Sequence, residues 1–189
     1  MGLTACASAE SVGLVDAGGG SADAAKRRDA APGGDATIAT DAGPIASTCA
    51  SAMTCQAAQM LGTLSGDTGA GTLSTNGYQS AWIRVRVTED YSDVPGLALR
   101  VAATLTLPAG GGFDVLVYVN STSDTIECST TIGTVMANGN TKEVRAEWGE
   151  GFIPNGADDS RNVTIEVRPT TTSCNANQSW QLQLDGNWL

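Results

Sequence analysis

The eight-residue stretch Phe-Asp-Val-Leu-Val-Tyr-Val-Asn at positions 113–120 limits the fold of this chain more than any other segment. Side chains of a β-strand alternate between its two faces, so Phe113 and every second residue after it face the same way. Leu116 and Tyr118 lie on the opposite side, which means that both faces carry apolar bulk. Such a strand belongs in the middle of a packed sheet, and the sequence therefore predicts a β-sandwich core.

Other segments alternate in the same way between turns rich in Gly, Asn and Pro. The clearest is 80–89, where Ile83 faces the core while Trp82 and Arg84 face outward. Residues 69–77 are interpreted as a polar connection. Together with 113–120 the predicted strands make an all-β, antiparallel sandwich of eight strands. The other seven are 61–66, 80–89, 97–107, 125–128, 143–150, 162–168 and 180–185.

The first third of the chain lacks the side chains needed for a core. All nine aromatic residues (four Trp, three Tyr and two Phe) lie between Tyr78 and Trp188. Residues 7–47 are mostly Ala, Gly, Asp and Ser, which predicts a disordered linker. Residues 48–60 are predicted to form one short helix, capped by Ser47 or Thr48 and ended by Gly62. The sandwich domain is then expected over 61–189.

Composition excludes several classes of function. The chain has no His, which removes Ser-His-Asp and Cys-His machinery and nearly every catalytic zinc site. Its formal net charge is −10, and an acidic body repels the phosphate backbone of nucleic acid. We expect a protein that is not an enzyme. A hydrolase that uses paired carboxylates remains an alternative, because such pairs can cleave glycosidic bonds without His.

Four of the five cysteines are expected to form disulfides. No Cys-x-x-Cys pair is present, so an oxidising compartment explains the cysteines better than a metal cluster does. Four cysteines allow three pairings; the preferred one joins Cys49 to Cys55 and Cys128 to Cys174. A bond between Cys49 and Cys55 requires Cys49 to lie in the loop before the predicted helix, because residues six apart on a helix are too distant to be bridged.

The fifth cysteine stands in a short motif near the start of the chain. Leu-Thr-Ala-Cys at 3–6 resembles the lipobox of bacterial lipoproteins, in which the cysteine is lipidated. The resemblance implies a lipid anchor on Cys6, an upstream start codon, and an extracellular or cell-envelope location with membrane contact only through the anchor. The linker over 7–47 would then hold the domain away from the membrane surface.

The strand motifs also resemble a known family. Trp-Ile-Arg-Val-Arg-Val at 82–87, the stretch at 113–119 and Trp-Gln-Leu-Gln-Leu at 180–184 are similar to the bacterial pre-peptidase C-terminal domain. Trp-Gly-Glu-Gly at 148–151 and Asp-Asp-Ser-Arg at 158–161 resemble stand-alone versions in predicted lipoproteins of myxobacteria-like organisms. The resemblance implies an eight-stranded jelly roll that accompanies enzymes outside the cell.

Two groups of residues are candidate sites. Trp82, Arg84 and Arg86 share the outward face of one strand and would present an aromatic surface and cations to a ligand, unless a helix or loop covers them. No cofactor is expected except possible Ca²⁺ on the acidic loops, since carboxylates are hard oxygen ligands. The candidate ligands are Glu89, Asp90, Asp93, Asp158 and Asp159.

These observations favour an exported, non-catalytic β-sandwich module that is anchored by lipid. Its expected partner is a surface glycan or protein. An alternative is a structural protein that self-assembles, because the edge strands of a sheet can pair between copies.

Overall fold

A computed structural model describes residues 47–91, 97–149 and 156–188. Cys6, Asp93 and linker residues 7–46 lie outside these ranges. The strands are β1 (Ser47–Thr48), β2 (Gln59–Ser65), β3 (Thr72–Gly77), β4 (Ala81–Thr88), β5 (Ala98–Thr106), β6 (Phe113–Tyr118), β7 (Thr134–Asn138), β8 (Thr141–Gly149), β9 (Arg161–Pro169), β10 (Ser173–Cys174) and β11 (Trp180–Gly186).

Nine of these strands form two sheets, and β1 pairs with β10 in a small third sheet. One sheet has the order β3-β11-β5-β8-β7 and the other the order β2-β4-β9-β6. The chain crosses between the two sheets at most connections, so that β9 inserts between β4 and β6, and β11 between β3 and β5. This interleaving is the strand order of a jelly roll, as predicted. No described helix has the length and apolar character needed to span a membrane.

The core lies between the two sheets and is built by the predicted alternation. Ile83, Val85 and Val87 of β4 are buried, with 3%, 0% and 0% of their surface exposed, while the residues between them are half-buried. β6 alternates in the same way from Phe113 to Val117, and Tyr118 after them is buried on the outer side of the sheet. Trp180 of β11 is also buried, and its indole nitrogen donates a hydrogen bond to the Gln79 carbonyl at 2.8 Å.

Seven of the eight predicted strands are present, but residues 125–128 form no strand. There, local polar side chains bind the backbone, and such bonds compete with a sheet ladder. Four further strands were not predicted, namely β3 and β7 in the five-stranded sheet and the two-residue strands β1 and β10. The sandwich is also not wholly antiparallel, because β2 runs parallel to β4. Between them the chain passes through β3 in the opposite sheet and returns in the same direction.

The predicted helix over 48–60 is wrong. This segment contains only a three-residue 3-10 turn at Cys55–Ala57, and β2 already begins at Gln59. Ser47 and Thr48 lie in β1 rather than at a helix cap, and Gly62 lies at an irregularity in β2. Long-range bonds outweigh the local helical preference, since the Cys49 carbonyl accepts a hydrogen bond from the Ser80 amide at 2.7 Å.

The preferred disulfide pairing is also wrong. Cys49 is bonded to Cys174 and Cys55 to Cys128, with sequence separations of 125 and 73. The pairing of β1 with β10 brings Cys49 next to Cys174, with the two Cα atoms 4.9 Å apart. Both bonds therefore join segments that are distant in the chain and adjacent in the fold.

Candidate functional site

The outer face of the four-stranded sheet carries the residues that were predicted to bind a ligand. Trp82, Arg84 and Arg86 point away from the core and are half-buried. The guanidinium of Arg84 donates to the carbonyls of Cys55 and Gln56, at 3.3 and 3.1 Å. The Arg84 guanidinium therefore already binds backbone carbonyls of the protein itself.

Residues 119–130, which we call the strap, follow β6, and the contacts of Asp124 and Cys128 hold parts of this segment against the outer face. The disulfide between Cys55 and Cys128 fastens one part of the strap. Asp124 fastens another, because its Oδ1 is 2.5 Å from the Arg86 guanidinium and accepts hydrogen bonds from Asn162. Burial opposes the ionisation of Asp124, but the bonds from Arg86 and Asn162 outweigh it and hold the pKa of that carboxyl below its ordinary value.

Within the strap, one carboxylate organises the backbone. Oε1 of Glu127 accepts hydrogen bonds from the amides of Cys128, Ser129 and Thr130, at 2.9, 2.7 and 3.0 Å. It also accepts one from the Ser129 hydroxyl at 2.7 Å. The Ser129 hydroxyl and these amides lower the pKa of Glu127 to about 2.

Near the strap, Tyr118 forms a small second core on the outer side of the sheet. It is only 2% exposed, and its ring centroid lies 5.4 Å from that of Trp82. Its hydroxyl donates to Glu166 at 2.7 Å and accepts from Arg168 at 2.9 Å. Burial, reinforced by the Glu166 carboxylate, raises the pKa of Tyr118 to about 12, so the phenol is protonated at neutral pH.

The candidate calcium ligands lie in a network at one end of the sandwich. Oε2 of Glu89 accepts a hydrogen bond from the Asp159 amide at 2.7 Å, and the Glu89 amide donates to the Ser160 hydroxyl at 2.9 Å. Asp159 is buried and forms an ion pair with buried Arg161 at 2.9 Å. Asp158 accepts a hydrogen bond from the Ser160 amide. These acids therefore fasten one loop to another through backbone groups.

Asp90, next to Glu89 in the loop after β4, contacts a different segment of the chain, the end of β2 and the residues after it. It accepts hydrogen bonds from the hydroxyls of Ser65 and Thr68, at 2.7 and 2.8 Å, and both lower its pKa. Asp67, which sequence reasoning missed, is 5% exposed and accepts bonds from the amides of Asp90 and Tyr91. Over the described residues, no group of three or more Cys, Asp or Glu side chains is arranged to hold a metal ion.

The outer face of the five-stranded sheet is different in character. The β3-β11-β5 register places Gln181 between Asn76 and Thr106, and Gln183 between Ser74 and Thr104. These uncharged side chains border a shallow depression of about 370 Å³. We call them the polar face, which consists of Ser74, Asn76, Thr104, Thr106, Gln181 and Gln183.

The side chains of the polar face are largely free to meet a ligand. Thr104 is half-buried and the other five are exposed. Within the described part of the chain, only Gln183 makes a side-chain hydrogen bond to the protein, to Asp185 at 2.9 and 3.1 Å. This site was not predicted, because the prediction of a polar connection over 69–77 leaves β3 out of the sheet.

Trp188 lies on the same side of this sheet, beyond the far end of β11. The guanidinium carbons of Arg100 and Arg145 lie 5.6 and 4.8 Å from the centroid of its ring. Each arginine is also paired with a carboxylate, Arg100 with Glu147 at 3.1 Å and Arg145 with Glu143 at 2.5 Å. The indole remains half-buried, so part of its surface is open.

No family model matches this chain, and no curated protein matches it. Among solved structures, the chain is similar to the pre-peptidase C-terminal domain of a collagenase from Bacillus anthracis. The match has a TM-score of 0.38 and 11% sequence identity, and covers 67% of this chain and 95% of that domain. The domain is of the same family as the resemblance noted in the sequence. The jelly-roll assignment follows from the strand order of this chain itself.

Proposed function

We propose that this chain is a non-catalytic surface module that binds a neutral glycan through the polar face. One observation carries the proposal: six uncharged hydrogen-bonding side chains lie together on an open sheet face of a protein whose net charge is −10. Amide and hydroxyl groups can exchange hydrogen bonds with sugar hydroxyls without the cost of desolvating a charge. The acidic remainder of the protein disfavours anionic polymers.

The length of β11 suits a chain of sugars rather than a single one. Gly186, at the end of β11, lies five residue steps beyond Gln181, about 17 Å at the usual rise of a strand. Beyond that end lies Trp188, which is half-buried and packed against Arg100 and Arg145, and its exposed part can contact a sugar at the end of the glycan. The proposed glycan therefore runs along β11 and β5, from the polar face toward Trp188.

Affinity electrophoresis tests this function with soluble glucans, mannans and galactans as probes and polygalacturonate as an anionic comparator. We expect a neutral polysaccharide to retard the full chain. The double variant Gln181→Ala/Gln183→Ala should weaken that binding by about tenfold, roughly 1.4 kcal/mol. Gln178→Ala is the matched control, since Gln178 is an exposed glutamine in the loop before β11. Equal retardation of the double variant and the control would refute the assignment to the polar face, and so would retardation by polygalacturonate alone.

The proposal includes export and a lipid anchor on Cys6. Two disulfides that join distant segments are typical of oxidising compartments. The lipobox resemblance at 3–6 and the Asp- and Ala-rich segment at 7–47 support an anchor followed by a tether.

Intact mass spectrometry of natively expressed protein tests the anchor and the disulfides together. We expect a lipid adduct on Cys6 and the loss of four protons, two for each disulfide. Cys6→Ser should move the protein from the membrane fraction to the soluble fraction. A membrane-bound protein with an unmodified Cys6 would contradict the anchor and leave the glycan assignment to its own experiment.

A further inference from the structure

The edge strand β7 is the most exposed strand of the sandwich. Its five residues, Thr134–Asn138, are all exposed, and they include Val135 at 63% and Met136 at 39%. It pairs with β8 on one side and ends the five-stranded sheet on the other. An edge strand presents a row of unpaired backbone donors and acceptors, which is a template for another strand.

β7 also lacks the devices that usually protect an edge. Its sequence, Thr-Val-Met-Ala-Asn, contains no charge and no proline, and its pairing with β8 has no bulge. The neighbouring edge strand β6 is protected, because the Lys142 ammonium donates to the Phe113 carbonyl and pairs with Asp114. The Ile132 amide covers another part of that edge by donating to the Val117 carbonyl at 2.9 Å.

A small apolar depression of about 80 Å³ opens beside β7, at the side of the sandwich where the two sheets part. Val135 contributes to it from β7, and Val144 from β8. A strand added at the edge of β7 would place its own inward-facing side chains over this opening. The partner strand must therefore carry apolar side chains at alternate positions. The full lining is Val115, Leu116, Val117, Thr131, Ile132, Gly133, Val135 and Val144.

We propose that β7 pairs with β7 of a second copy of this chain, antiparallel and centred on Met136. In that register Val135 of one copy faces Ala137 of the other on the inner side. Thr134 faces Asn138 and Met136 faces itself on the outer side. β7 therefore has the apolar side chains at alternate positions that a strand added to its edge must carry. The pairing joins the two five-stranded sheets into one continuous sheet.

The local charge permits this contact although the whole chain is acidic. On β8, next to β7, Arg145 is paired with Glu143 and Lys142 with Asp114, so the charges at this edge cancel. A contact between two five-residue strands is much smaller than a standard interface of about 1,600 Å². The dimer is therefore weak in solution and is favoured where copies are concentrated on a surface.

Sedimentation equilibrium of the full chain, with Cys6→Ser as background, tests the pairing. We expect a monomer–dimer equilibrium that Met136→Lys weakens by about tenfold, because the two-fold axis brings two ammonium groups together. Met136 lies opposite Glu143 in the ladder, so a lysine there has a partner within the monomer. Met60→Lys is the control, since Met60 is 55% exposed on the edge strand β2. A strict monomer, or a dimer that Met136→Lys leaves unchanged, would overturn the proposal.

Cysteine cross-linking tests the register in the same background. Directly opposed Cα atoms of antiparallel strands are about 4.5 to 5.5 Å apart, within reach of a disulfide. We expect Met136→Cys to form a covalent dimer under mild oxidation. Thr134→Cys should remain monomeric, because its two copies would lie four residues apart along the paired strands. Equal cross-linking of both variants would refute pairing centred on Met136.

Discussion

The two outer faces of this sandwich differ in what covers them. The four-stranded sheet carries Trp82 and Tyr118 outward, and the strap lies over that side, fastened by the disulfide between Cys55 and Cys128. The five-stranded sheet carries hydroxyls and amides outward, and these side chains remain largely exposed. Large aromatic side chains gain free energy when covered, whereas small uncharged polar side chains gain little. The covered face therefore contributes to stability, and the open face is free to bind.

The largest expected effect comes from releasing the strap. Cys55→Ser/Cys128→Ser opens a link that spans 73 residues, and the chain-entropy model assigns such a link about 4 kcal/mol of unfolding free energy. Guanidinium denaturation measures this loss. In hydrogen exchange, protection should fall in the strap before it falls in β11.

The other disulfide is the matched control for the strap. Cys49→Ser/Cys174→Ser removes a link of 125 residues and should cost a similar free energy. Protection of the strap should survive in this variant, because Asp124 and the bond between Cys55 and Cys128 still hold it. Equal loss of strap protection in both variants would show that the Cys55–Cys128 bond does not fasten the strap.

Part of this contrast was predictable from the sequence. Strict alternation in β4 placed Trp82, Arg84 and Arg86 outward, because every second residue there is a buried aliphatic. The strap over them was not predictable. Its position depends on Cys128 meeting Cys55 and Asp124 meeting Arg86, which are contacts between distant parts of the chain. Alternation reports which way a side chain points, but not what lies above it.

The next largest effect is expected at Tyr118. Tyr118→Ala should lower the unfolding free energy by about 3 kcal/mol, since a buried aromatic ring is lost beside Trp82. Tyr118→Phe keeps the ring and removes only the hydroxyl that contacts Glu166 and Arg168, so about 1 kcal/mol should be lost. Thermal denaturation of both variants measures the difference. Equal losses would mean that the hydroxyl network, rather than covered aromatic surface, stabilises this face.

A smaller effect is expected from acid, through Glu127. Hydrogen bonds from Ser129 and from backbone amides lower the pKa of Glu127 to about 2 in the folded protein, against an ordinary value of 4.5. A lowered folded-state pKa stabilises the fold above the ordinary value, and the contribution is lost as pH falls from about 4.5 to about 2. The protection of strap amides, taken relative to the intrinsic exchange rate at each pH, should therefore fall over that range. Glu127→Gln does not titrate, and the pH dependence should flatten in this variant.

The polar face could not be predicted from the sequence, because the pattern of β3 does not identify it as a strand. In β3 the outward residues are Ser74 and Asn76, and the inward ones include Leu73 and Thr75, so polar and apolar positions hardly contrast. Periodicity is visible only where the two faces of a strand differ in polarity. β7 escaped for a similar reason, because all five of its residues are exposed. In both strands the two faces differ little in polarity, and exposed side chains are present on them.

The smallest expected effect is on the open face itself. Gln183→Ala should change the unfolding free energy by less than about 0.5 kcal/mol, because Gln183 is exposed and its side chain, among the described residues, donates hydrogen bonds only to Asp185. Thermal denaturation at neutral pH, beside Tyr118→Ala, makes the two faces directly comparable. A loss near that of Tyr118→Ala would mean that the polar face is structural, and the glycan assignment would lose its basis. With stability unchanged, weaker glycan binding in the double variant can be attributed to lost contacts, since the fold presenting the face is intact.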